Sequence, residues 1–304
     1  MSTLPPPGPP RAPPSTPEPT SAAALAGARL LLAPLLWWQG RQLRRATPRL
    51  PEPPGPRQGK AGVGFSRLRI LVVGDSAAAG VGVDEQAQAL APLLAHALAR
   101  QLSSGPMGLT SVSWQVVART GVSSHSALAM LAATRLEPAD VLVTVLGTHD
   151  VLEQVHPAQW LHNLDAVRSH AKHRAKVRYT VHCAPPRMDL MPMLPQPLRW
   201  VLGASAARLD SALGNHVRHA HRRSRFVLPF DPAHEDPAQW LAADRFHPNA
   251  ALYLRWAEAL AAHIEFDLMQ NPSRGAVLPG GFAPSVFARL DNEPSGFSQF
   301  GSLR

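Results

Sequence analysis

The stretch Leu68–Ser76 (LRILVVGDS) constrains this chain more than any other. A run rich in Leu, Ile and Val stops abruptly at Gly-Asp-Ser and continues as Ala77-Ala78-Ala79-Gly80-Val81-Gly82. It shows no clean alternation with polar residues, the pattern of a parallel strand covered on both faces. Glycine at its end lets the backbone turn sharply. A serine just beyond a buried strand stands where open α/β sheets bind their ligands.

Further short apolar runs follow at Val112–Ala118, Ala139–Leu146, Val177–Cys183 and Arg225–Phe230. Helical stretches separate them, at Ala87–Leu102, Ser123–Thr134, Pro157–His173 and Pro197–Arg223, with a last one over Asn249–Glu265. Strands alternating with helices imply βαβ units and right-handed crossovers. The expected fold is α/β: a flavodoxin-like three-layer α/β/α sandwich with a five-stranded parallel sheet, spanning residues 67–268.

The flanks differ in composition. Fifteen of the 32 prolines lie in residues 1–60, and residues 1–66 carry eight Arg or Lys against two Glu. Residues 1–21 read as a disordered Pro-rich tail, 46–66 as a Pro/Gly linker and 269–304 as a flexible C-terminal tail. Between tail and linker, residues 22–45 (AAALAGARLLLAPLLWWQGRQLRR) read as an apolar and basic membrane-anchor segment. Seventeen helical residues from Ala22 to Trp38 span about 25 Å, the lower limit for a bilayer. Arg29 costs about 2.5–3.5 kcal/mol on insertion and six leucines return about 0.3–0.6 each, so crossing is marginal. Trp37-Trp38 with the arginines behind them suit an interfacial anchor. The expected location is membrane-associated with the catalytic domain cytoplasmic, following the positive flank. The basic excess sits beside an apolar segment and no basic stripe interleaves with aromatics in the globular part, so no nucleic-acid partner is expected. One cysteine, Cys183, excludes an internal disulfide and a cysteine-built zinc site.

Serine is a weak nucleophile until a base removes its proton and a third group orients that base. Asp244-Arg245-Phe246-His247-Pro248 stands just before the final helix, so one turn can deliver carboxylate and imidazole together. Either motif alone is weak. Both in one βαβ domain, in the order Ser, Asp, His, weigh far more. Asp75 reads as a helix-start residue and Asp150 as a loop anchor. The histidines near position 219 close a helix, where cations favour the negative dipole end, so no metal site is inferred.

In these residues the chain resembles the SGNH (GDSL-type) hydrolase family. Gly74-Asp75-Ser76 with Gly80 and Gly82 is similar to its first block, Gly121 after Ala118-Arg119-Thr120 to its second, and Asp244-x-x-His247-Pro248 to its fourth. The third block departs: where the family has Gly-x-Asn-Asp, this chain has Gly147-Thr148-His149-Asp150. The resemblance implies a serine ester hydrolase with Ser76, Asp244 and His247 as triad and an acyl-enzyme intermediate, without metal or cofactor. It implies an oxyanion hole from the Ser76 and Gly121 N–H groups and a third donor, here His149, whose neutral imidazole has one N–H to offer. The expected partner is a small-molecule ester or lipid substrate. Two alternatives stand beside it, a catalytically silent binding module on the same fold and an acyltransferase acting on glycans. Met188, Met191 and Met193 follow the fourth strand and are candidates for the rim of an acyl pocket.

Overall fold

In the computed structural model, described over residues 22–269 except 49, 65, 105–107, 109 and 231–234, the Leu68 run is the second strand of a six-stranded sheet. The strands are β1 (Gln58–Ala61), β2 (Ser66–Gly74), β3 (Thr110–Ala118), β4 (Val141–Val145), β5 (Tyr179–Cys183) and β6 (Arg223–Phe226). Their order across the sheet is β1-β3-β2-β4-β5-β6. All neighbours are parallel except β1, which runs antiparallel to β3. Without β1 the order is the doubly wound one of a flavodoxin-like fold.

The helices are α1 (Ala22–Ala46), α2 (Ser76–Ala79), α3 (Leu90–Ser103), α4 (Ser124–Ala132), α5 (Thr148–Leu152), α6 (Pro157–Ala175), α7 (Leu198–Val217) and α8 (Ala250–Met269). Strand β2 explains the layering. Leu68, Ile70 and Val72 enter one core with α3 and α8, while Leu71 and Val73 enter the other with α4, α6 and α7. Both sets are apolar because each face of the strand is covered. Fully burying one such side chain stabilises by about 1.5–3 kcal/mol, so β2 anchors both layers.

The sheet has six strands rather than the expected five, and the added one lies inside the stretch read as a linker. Strand β1 is Gln58-Gly59-Lys60-Ala61, too short and polar to carry a hydrophobic period. It holds by backbone pairing in the register Gln58↔Gln115 to Ala61↔Val112. A Cβ on Gly59 would come within 2.9 Å of the Trp114 ring, so only glycine lets that ring lie against β1.

The apolar segment at residues 22–45 is helical, as α1, and lies on the domain. Leu25 is buried, Leu36 and Leu43 pack against the second core, and Arg29 donates to Ser205 Oγ at 2.7 Å. Arg29 therefore points at protein. Among the described residues no helix is long and apolar enough to cross a membrane. The tails expected at 1–21 and beyond residue 269 lie outside the described residues.

Candidate active site

Strand β2 delivers Ser76 as the first residue of α2. The turn is held from both sides. Asp75 N–H donates to Val145 O at 3.1 Å, and the Asp75 carboxylate caps α2 by accepting from Ala77 N–H at 3.1 Å. Burial raises the Asp75 pKa, against the opposing hydrogen bonds from Thr148 and Ala77. Tyr253 of α8 reaches across, its hydroxyl 2.8 Å from Val81 O and 3.0 Å from Ala77 O. Asp75 thus serves as a helix-start residue, a role that its position directly before the serine suggests.

The loop before α8 brings its imidazole to this turn. His247 Nε2 lies 2.9 Å from Ser76 Oγ, and His247 Nδ1 lies 2.5 Å from Asp244 Oδ2. Asp244 Oδ1 accepts from the N–H groups of Phe246 and His247, each at 3.0 Å. Burial of Asp244 opposes ionisation, but the His247 side chain and the two N–H donors outweigh it and hold the carboxyl below its ordinary pKa. The carboxylate is spoken for on both oxygens, which fixes where the ring points.

Close approach sets the distance between turn and loop. Gly82 (φ +107°) faces the loop, and a Cβ there would stand 2.2 Å from Pro248 O and 3.3 Å from His247 Cβ. Only glycine permits both that conformation and that contact. The loop is itself tied, with Ala242 N–H donating to His247 O at 2.8 Å and an isolated bridge between Leu241 and Pro248.

The other two candidate donors share the same edge of the sheet. Gly74 pairs in register with Ala118 and Val145, so Gly121 and His149 both follow strands that end beside Ser76. Among the described residues neither the Ser76 nor the Gly121 N–H has an acceptor. His149 is half-buried on α5, near enough to act electrostatically on Asp75. Neither Gly121 nor His149 forms part of the wall of the pocket described below. Asp150 beside it is fully buried and accepts from Ser124 N–H (3.0 Å) and Ser124 Oγ (2.5 Å), while Asn163 Nδ2 donates to the same hydroxyl at 2.9 Å. That network locks α5 to α4.

Several residues that shape the site escape sequence reasoning. Glu52, inside the supposed linker, accepts from Thr120 N–H at 2.6 Å and from Arg57 at 2.6 Å, bracing the turn that carries Gly121. Its pKa is lowered: burial works the other way, but the Thr120 and Arg57 hydrogen bonds prevail. Tyr253 and Glu52 act through contacts distant in sequence, and no local pattern marks either.

Ser76 and His247 open into a pocket of about 160 Å³. Its wall is largely apolar, from Pro185, Leu190, Met191, Phe226, Leu228, Trp240, Phe246, Leu252 and Trp256, with the Cys183 thiol among them. Burial pushes that thiol pKa up to about 12, so it is inert at neutral pH. Of the three methionines proposed for the rim, Met191 lines the pocket. Met188 is fully buried in the second core and Met193 packs against it. Among the described residues no group of three or more His, Cys, Asp or Glu is arranged to hold a metal ion.

A hydroxyl, an imidazole and a buried carboxylate in line, beside an apolar pocket, suit acyl transfer through serine. Comparison with known proteins covers the same segment. The model of the GDSL-like lipase/acylhydrolase family matches residues 72–255. The chain belongs to this family. The match begins inside β2, runs through Ser76 and ends in α8, so this GDSL-like hydrolase domain holds every strand from β2 to β6 in whole or part. Solved structures similar to it include a lipase from a goat rumen metagenome, at 17% identity over 64% of this chain and 96% of that one, with a TM-score of 0.49. A lipase/acylhydrolase from Enterococcus faecalis is 21% identical over 65% and 95%, with a TM-score of 0.45. An extracellular lipase from Streptomyces rimosus is 16% identical over 64% and 99%, also with a TM-score of 0.45. No curated protein sequence matches the chain.

Proposed function

We propose that this chain is a serine ester hydrolase that works through an acyl-enzyme on Ser76. The observation that carries the reading is the line from Asp244 through His247 to Ser76, at 2.5 and 2.9 Å, opening on an apolar pocket. His247 Nε2 takes the Ser76 proton as Oγ attacks the ester carbonyl carbon. Asp244 keeps the other proton on Nδ1 and stabilises the imidazolium that forms. The carbonyl oxygen becomes an oxyanion held by the N–H groups of Ser76 and Gly121 and by His149. His247 returns its proton to the leaving alcohol. A water molecule, deprotonated by the same nitrogen, then attacks the acyl carbon, and as the C–Oγ bond breaks to release the acid His247 returns the proton to Ser76 Oγ.

The pocket supports a substrate with an apolar acyl group, because Met191, Phe226, Trp240 and Trp256 offer it dispersion contacts and almost no polar partner. The test is labelling with a fluorophosphonate, which reports an activated serine before any substrate is known. Wild type should label, and Ser76→Ala should lose both labelling and turnover of p-nitrophenyl butyrate. A folded wild type that neither labels nor turns over ester would make the chain a silent binding module. Labelling that survives Ser76→Ala would remove the serine from its role.

A further inference from the structure

We propose that the outward face of α1 is a docking surface for anionic lipid bilayers, with the helix lying in the plane of the membrane. This surface stands on observations separate from the catalytic reading. The inward face of α1 is already occupied. Gln39 donates to Gln196 O at 2.7 Å and accepts from Leu198 N–H at 3.2 Å, while Arg29 donates to Ser205 Oγ. Arg29 and Gln39 thus turn toward protein.

The outward face is apolar. Leu30 is 79% exposed, Leu31 85%, Leu35 41%, Trp37 63% and Trp38 53%. Leu31, Leu35 and Trp38 recur at intervals of four and three, so they stand on one side of the helix. A surface helix ordinarily shows water its polar side, and a contiguous apolar patch marks an interaction site.

The chemistry of the surroundings selects the occupant. Exposed Arg41 and Arg45 continue the patch, and the Arg41 guanidinium lies 5.6 Å from the centre of the Trp37 ring. The helix contains no Asp or Glu. Leucines followed by tryptophans and then arginines match the order of acyl chain, interface and anionic headgroup. Arg29, costly inside a bilayer, faces away from it.

The docked helix is also joined to both flanks of the pocket. Gln196 and Leu198 end the segment that contributes Leu190 and Met191 to the wall. Ser205 Oγ lies 3.1 Å from Gln154 Oε1, just beyond α5. A bilayer held at α1 therefore stands on the element that braces the pocket rim.

The test is cosedimentation of the full chain with vesicles of phosphatidylcholine, alone or mixed with phosphatidylglycerol. Wild type should bind the mixed vesicles, less in high salt, with a blue shift of tryptophan emission. Leu31→Glu with Trp38→Glu should abolish binding. Arg41→Gln with Arg45→Gln should weaken it roughly twenty-five-fold, two charges at about fivefold each. Both pairs should keep wild-type melting and wild-type turnover of a soluble p-nitrophenyl ester, if the chain is an esterase. The arginine pair is exposed and removes no buried contact, so it decides the matter should the apolar pair fold poorly. Wild type left in the supernatant with anionic vesicles would overturn the proposal, as would binding that neither pair changes. A stable wild-type dimer that the apolar pair dissociates, without vesicle binding, would assign the face to a second copy and overturn it too.

Discussion

Gly82→Ala separates a catalytic geometry set by backbone contact from one set by side chains alone. The added methyl would stand 2.2 Å from Pro248 O. A carbon and a carbonyl oxygen rest at about 3.3 Å, so turn and loop must part by about 1 Å. A non-glycine residue at φ +107° adds strain of about 1–3 kcal/mol. The turn yields little, because the Tyr253 hydroxyl holds Val81 O at 2.8 Å. The displacement therefore falls on the loop and on His247, whose Nε2 stands 2.9 Å from Ser76 Oγ. Misplacing a catalytic group by about 1 Å costs about a hundredfold in rate. The assay is the second-order rate of fluorophosphonate labelling, with p-nitrophenyl butyrate turnover measured beside it. Both should fall about a hundredfold, and the melting temperature by roughly 2–12 °C for that strain in a domain of this size. A folded Gly82→Ala protein that labels at the wild-type rate would refute the reasoning.

Asp244→Asn should lower kcat by about ten-thousandfold in the same ester assay, because an amide N–H facing Nδ1 enforces the tautomer that cannot accept the Ser76 proton. His149→Ala should lower kcat by about a hundred- to a thousandfold, and His149→Asn, which restores a side-chain N–H, should recover most of it. Tyr253→Phe should cost about 1–3 kcal/mol in denaturant unfolding, since the Val81 carbonyl oxygen loses the Tyr253 hydroxyl and Ala77 O is left with the Gly80 N–H. Asp244 has a folded pKa below its unfolded value, so its contribution to stability is complete above about pH 4 and fades as pH falls through the folded value. Melting curves between neutral pH and pH 2 should accordingly show a steeper acid loss for wild type than for Asp244→Asn.

The central parallel strands were legible in the sequence because β2, β4 and β5 are covered on both faces, which leaves runs rich in Val, Leu and Ile at Leu68, Ala139 and Val177. The meeting of Ser76 with His247 was legible for a different reason. Open sheets gather their functional groups at the carboxyl edge, and a three-residue spacing keeps Asp244 within reach of His247. What stayed hidden depends on contacts without local pattern. Strand β1 is held chiefly by backbone pairing, with only Ala61 in the core, in a stretch rich in proline and glycine. Glu52 gains its place from Thr120, 68 positions away, and the pocket wall is assembled from segments as distant as Pro185 and Trp256. Arg29 in an apolar run reads as an obstacle to insertion. Only the packing of α1 on α7 reveals that it is a tether to Ser205.

Strand β1 has a consequence for how the molecule assembles. Among the described residues it is synthesised before every other strand, yet its sole partner in the sheet is β3, and the register joins Gln58 to Gln115. Until β3 has been made and paired with β2, the Glu52–Ala61 segment has no sheet edge to join. It is therefore an early-made but late-docking strap. When it closes, it caps the β3 edge of the sheet against pairing with another chain, and Glu52 comes to rest on the Gly121 turn. Completion of the fold and completion of that corner of the site are then one event, and a chain starting at residue 67 would lose both.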